Sequence, residues 1–170
     1  DMSATKVGVI LALMIGIRRV LGTALGGLIS DRLGKRDVRW NFWLVGGVGI
    51  FTAPFSFIAY MSPDLQSTLI WLLIPMLTGA RYFGPTLAML HTLVKPEMRS
   101  LASAIMLFIN NIFGLGIGPL GVGMISDALA PQYGTKSLAY ALAAFIIIGI
   151  WGSCHYFIAA RTLKQDIAQA

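Results

Sequence analysis

Gly27-Leu-Ile-Ser-Asp-Arg-Leu-Gly-Lys-Arg-Asp37 follows directly on one long apolar stretch and leads into another. Arg32, Lys35 and Arg36, pinned between two hydrophobic segments, read as a short polar loop of a chain that crosses a membrane several times. The expected fold is therefore an all-α transmembrane bundle, and the rest of the chain can be read outward from this loop.

Composition agrees. Hydrophobic residues make up 56% of the 170 and charged residues 12%, with a mean hydropathy of +0.76. A soluble domain carries about 25% charged residues, so this chain has too few for a water-facing surface. The net charge of +6 alone would suit nucleic acid. The basic residues sit mainly in the breaks between apolar runs, however, where they orient a membrane protein. The expected partner is the lipid bilayer, with no nucleic acid. A single cysteine, Cys154, excludes an intrachain disulfide and a cysteine metal cage. His91 and His155 are far apart and have no acid beside them, and Cys154 next to His155 is a lone thiol, so neither a metal nor a cofactor is expected. No nucleophile–base pair, phosphate-binding loop or catalytic carboxylate pair is visible, and the chain does not read as an enzyme.

A spanning helix needs about 20 mostly apolar residues. Five are expected, at roughly 5–30, 40–61, 66–94, 100–126 and 137–160. Arg32, Lys35, Arg36 and Arg39 in loop 31–39, Lys95 and Arg99 in loop 95–99, and Arg161 and Lys164 in the tail stand against Lys6 and Lys136 on the other side. That imbalance puts both loops and the C-terminus in the cytoplasm and the N-terminus outside. The chain opens with no basic region ahead of a short apolar core, so no cleavable signal peptide is expected.

An internal echo adds a second constraint. Gly27-Leu-Ile-Ser-Asp31 closes the first span and Gly123-Met-Ile-Ser-Asp127 the fourth. Those spans run in opposite directions, as in transporters built from inverted three-helix repeats. If the fourth span is the middle of one repeat, the first is the middle of another whose leading helix would precede Asp1. The chain is therefore expected to be a fragment or a processed product, with the N-terminal part of the same protein as its partner.

The loop at 27–37 resembles the signature loop of the major facilitator superfamily up to Arg36; Asp37 departs from the further basic residue often found there. A looser copy of that loop lies between the eighth and ninth helices of the family. With four further spans here, the resemblance implies helices eight to twelve, an incomplete C-terminal six-helix bundle. Gly84-Pro85, Val94, Pro96, Met98-Arg99, Asn111, Gly118-Pro119 and Ser126-Asp127 are similar to the spinster-like branch, where His91 replaces an expected glutamine. That branch implies export of lysophospholipid-like molecules by alternating access. A bacterial inner (plasma) membrane is expected from the absence of long loops.

The resemblance also implies a conformational gate at Gly27, Asp31, Arg32, Gly34, Lys35, Arg36 and Arg99. Asp31 would face the helix starting near Arg99, where exposed N–H groups and the helix dipole favour a carboxylate. Gly27 would let helices approach closely. Arg32, Lys35 and Arg36 read equally as orientation charges. Arg18, Arg19 and Arg81 lie too deep in their spans to reach an interface easily, so each needs a cavity or a partner. By the family's helix order the third span would be a tenth helix lining the central cavity, so the resemblance implies that Arg81 contacts an anionic part of a small-molecule substrate through its guanidinium fork. Arg18 and Arg19, adjacent on a helix, cannot both face the same spot. In the fourth span, Asn110 or Asn111 could touch substrate or bond a neighbouring helix. Gly114, Gly118, Pro119, Gly123 and Asp127 read as kink and packing positions rather than as a dinucleotide fingerprint, since no strand precedes them. Two rival readings remain open: a broad-specificity drug or organic-acid carrier, and a short membrane protein that only binds partners.

Overall fold

The computed structural model describes residues 8, 9, 12, 16 and 23–169, with the backbone alone for Thr23 to Leu25, Asp31, Ala80 and Arg81. Arg18, Arg19 and most of the first expected span lie outside the described residues. What is described is helix and turn, without a strand. The helices are α1 (Thr23–Gly34), α2 (Trp40–Met61), α3 (Leu65–Thr78), α4 (Phe83–Thr92), α5 (Arg99–Asn111), α6 (Gly118–Tyr133) and α7 (Ser137–Gln169).

Each departure from the expected spans has a local cause. The span expected at 66–94 is broken: α3 ends at Thr78, a tighter 3-10 turn covers Gly79–Tyr82, and α4 resumes at Phe83. Pro75 has no N–H to donate back along α3, and its ring crowds the preceding turn. Gly79 then weakens the helix further. The span expected at 100–126 starts at Arg99, widens into a π-helical segment over Ile112–Ile117, and continues as α6 to Tyr133. The extra residue precedes Pro119, and the N–H of Gly118 donates to the Phe113 carbonyl. The last helix, expected to stop near 160, runs 33 residues to Gln169. That is roughly 50 Å at 1.5 Å per residue, longer than the ~30 Å apolar thickness of a bilayer.

Among the described residues, two helical stretches are long and apolar enough by length and composition to cross a membrane: Trp40–Met61, of 22 residues, and Pro96–Gln169, of 74. The second folds back at Gly134, where φ is 55° and ψ −126°, so that α6 packs along α7. Five such runs were expected. The difference comes from the break at Gly79–Tyr82, from this fold-back and from the undescribed start of the first span.

The most extensive packing joins α2 to α7. Small residues make it possible: a Cβ on Gly46 would come within 2.8 Å of the Ser153 carbonyl and of Phe157, and one on Gly49 would overlap the Ser153 side chain. Close backbone approach of this kind is how helices associate where water supplies no drive. Near the loop end, Phe42, Met89, Ala160 and Leu163 form the buried cluster, with Val38, Leu93 and Ile167 against it. Tail residues Leu163 and Ile167 therefore pack on α2 and α4 instead of trailing free.

Candidate functional site

The polar loop is clamped from beneath. Ser30, 2% exposed, donates its hydroxyl to Asn41 Oδ1. Asn41 Nδ2 donates to the Val38 carbonyl at 3.0 Å. A Cβ on Gly34 would meet that amide nitrogen at 3.0 Å, so Gly34 keeps room for the clamp. Asp37, the residue that departs from the family pattern, accepts the Arg39 N–H at 3.0 Å and pairs with Lys164 of the tail at 2.7 Å. The Lys164 ammonium, and then the Arg39 N–H, hold the Asp37 carboxyl below its usual range. Arg32, Lys35 and Arg36 are exposed.

The expected partner helix begins beside this end of the bundle. Arg99 Nε donates to the His91 carbonyl at 3.1 Å, and His91 Nε2 lies 2.7 Å from Ser103 Oγ. Ser103 Oγ itself donates to the Arg99 carbonyl at 2.8 Å, so Nε2 is the donor to the hydroxyl. This triangle ties α4 to α5 across loop 93–98. The Asp31 side chain lies outside the described residues. A Cβ on Gly27 would meet nothing within 4 Å, so the close helix approach expected there is absent among the described residues.

Toward the middle of the bundle, three neighbouring cavities open between α2, α4, α5–α6 and α7. They measure about 710, 540 and 530 Å³. Their walls are mostly apolar, with a few hydrogen-bonding groups. The Tyr82 hydroxyl donates to Asn110 Oδ1 at 3.2 Å, and Thr86 Oγ1 lies 2.9 Å from the Tyr156 hydroxyl. Tyr82, Asn110 and Tyr156 line both smaller cavities. The largest is walled in part by Gly114, Gly118, Pro119 and Gly123.

The structure separates the two asparagines. Asn110 faces the cavities, whereas Asn111 Nδ2 turns back to its own Leu107 carbonyl at 2.8 Å. Of the glycines named from sequence, Gly118 sits at a close approach, since a Cβ there would come within 2.9 Å of the Phe113 carbonyl; Gly123 has open space and Asp127 is exposed. A Cβ on Gly121 would meet Phe145 at 3.0 Å. Arg81 sits within the 3-10 break, between cavity-lining Gly79 and Tyr82. Its side chain lies outside the described residues. Sequence reading also passed over Tyr82, Thr86 and Tyr156, because a hydroxyl inside an apolar span does not reveal which way its helix faces. Among the described residues, no three His, Cys, Asp or Glu side chains gather as a metal site.

No protein-family model matches the chain. Over 169 residues, 99% of its length, it is 35% identical to a protein of Mycolicibacterium smegmatis named an MFS-type efflux pump. The chain spans 39% of that relative's length. Identity at this level over nearly every residue makes the chain a homologue of one stretch of a major facilitator pump, in keeping with its apolar helices.

Proposed function

We propose that the chain is the part of a twelve-helix major facilitator transporter from the eighth helix to the twelfth, crossing the membrane five times. It is an integral membrane protein and not an enzyme, with the loop 31–39 and the C-terminus in the cytoplasm of a bacterial cell. The 39% share of the relative's length supports this placement, since five helices of twelve is about that fraction. The Asp37–Lys164 pair supports the sidedness, because it brings the loop and the tail to one face.

The proposed activity is export of an amphiphilic or anionic solute, lysophospholipid-like in the spinster-like reading, by alternating access coupled to an ion. The observation that carries it is the apolar cavity crossed by the Tyr82–Asn110 and Thr86–Tyr156 pairs, beside the helix break that bears Arg81. Irregular backbone at membrane depth is tolerated where it is buried or lines a cavity, and the break meets that condition. Arg81 would hold the anionic group, the hydroxyls and Asn110 would orient the solute, and the apolar walls would take its body. The relative's naming as an efflux pump favours outward movement, and it keeps a broad-specificity carrier as the second reading.

Transport into inverted vesicles by the full-length protein, competed by lysolipids, organic acids and neutral drugs, separates these readings. Lysolipid competition carries the first; uniform competition by unrelated drugs carries the second; no transport of any solute sinks both. In the same assay, Asn110→Ala should lose about tenfold in apparent affinity, the worth of one hydrogen bond in a dry site. Asp31→Asn should cut transport while leaving insertion intact if Asp31 closes the cytoplasmic side against α5. Wild-type rates in Asp31→Asn would remove the gate.

A further inference from the structure

A fourth cavity, of about 400 Å³, lies at the opposite end of the α2–α7 seam from the polar loop. Tyr60, Ser62, Thr135, Lys136 and Tyr140 are among its lining residues. The Lys136 ammonium makes no ion pair among the described residues. The acid next to this end of α2, Asp64, spends its carboxylate on Ser67, accepting the N–H at 2.7 Å and the hydroxyl at 3.0 Å. The Ser62 hydroxyl is donated to the Ile58 carbonyl at 2.8 Å, so one cation and the hydroxyls of Tyr60, Thr135 and Tyr140 line a cavity with little competing negative charge.

An apolar furrow runs from this cavity along the seam. Tyr140, Ala143, Ile147 and Trp151 follow one another at three- and four-residue steps, and so share one face of α7, with Lys136 four residues before Tyr140 in the turn that leads into it. On α2, Met61, Phe57, Pro54 and Ile50 repeat the same steps. Met61, Lys136 and Tyr140 all line the cavity, so the two stripes flank one furrow. The side chains along it are left open: Ile147 is 70% exposed, Trp151 65%, Phe57 52% and Ile50 41%.

We propose that this cavity and furrow bind one anionic phospholipid from the leaflet on that side. Its phosphate lies at Lys136 and the Tyr60 and Tyr140 hydroxyls, and its acyl chains run between Phe57 and Ile147. A cation ringed by hydroxyl donors suits a phosphate oxygen, tyrosines sit well at the level of headgroups, and the stripes below give the chains apolar surface to cover. The inference rests on the reading of the chain as membrane-spanning, and not on any particular transported solute.

The test is native mass spectrometry of the detergent-purified, full-length protein, titrated with phosphatidylglycerol or phosphatidylcholine. Wild type should hold one phosphatidylglycerol more tightly than phosphatidylcholine. Lys136→Gln should reduce that preference about fivefold, the worth of one basic contact with an anionic headgroup. Ala143→Phe, which fills the furrow, should weaken both lipids. Arg36→Gln, at the other end of the bundle, should change neither. An unchanged lipid preference in Lys136→Gln, or an equal loss in Arg36→Gln, overturns the site. Release of the protein from membranes by alkaline carbonate would instead overturn the membrane-spanning reading beneath it.

Discussion

The two hairpin corners of the chain begin alike and are finished differently. At one, Gly27-Leu-Ile-Ser-Asp31 leads through a basic loop into α2; at the other, Gly123-Met-Ile-Ser-Asp127 leads through a tight fold-back into α7. In both, the serine reaches eleven residues ahead to the start of the next helix, Ser30 to Asn41 and Ser126 to Ser137. The two corners therefore share a side-chain contact at the same offset as well as similar letters. The differences lie above that contact. The first corner has an amide that also holds Val38, and an acid that reaches the tail. The second has Gly134 with positive φ and a single cation, Lys136, in place of a basic cluster. The first corner adds further side-chain bonds to the shared one, and the second adds a backbone shape that favours glycine.

Four substitutions would break or sharpen that contrast, in falling order of effect. Asn41→Ala should cost most, about 2–3 kcal/mol, because it leaves buried Ser30 without its acceptor and frees the Val38 carbonyl as well. Thermal unfolding in detergent reads this, and an unchanged midpoint would show that the clamp holds nothing. Gly134→Ala should cost about 1–2 kcal/mol through backbone strain alone, since a Cβ there meets open space. A stabilised variant would contradict the positive φ. Ser126→Ala should cost about 1 kcal/mol, one neutral hydrogen bond, and clearly less than Asn41→Ala. Equal losses would make the two corners equivalent.

Asp37→Asn should have the smallest effect on stability, because the Lys164 pair is exposed and screened. Its readout is the tail: proteolysis after Arg161 or Lys164 should speed up. The folded-state pKa of Asp37 is depressed, so the pair is intact above the ordinary carboxylate value and is lost as pH falls through the lowered one. Tail protection in wild type should therefore persist through neutral pH and disappear in strong acid. Protection independent of Asp37 would assign the tail to its apolar packing on Phe42 and Met89 alone.

The apolar runs and their charged breaks identified helices in a membrane, because bilayer thickness and backbone satisfaction leave few alternatives. The same runs hid the breaks at Gly79–Tyr82 and Ile112–Ile117. Pro75 and Pro119 marked where a helix would be weak, yet whether it bends, tightens or widens depends on what its neighbours can satisfy. Asn110 and Asn111 show the same limit at the site. Adjacent in sequence and identical in chemistry, one lines the cavity and the other bonds its own helix, and the direction of each side chain settles the matter.

From the sequence alone came the class of the fold, the polar loop and the echo between its corners, since hydropathy and charge are properties of the residues themselves. Tertiary structure alone decided the rest. It brought Tyr82 against Asn110 and Thr86 against Tyr156, and it joined Asp37 to a lysine in the tail. Such contacts depend on how helices rotate and cross, which is set by the small residues where they touch.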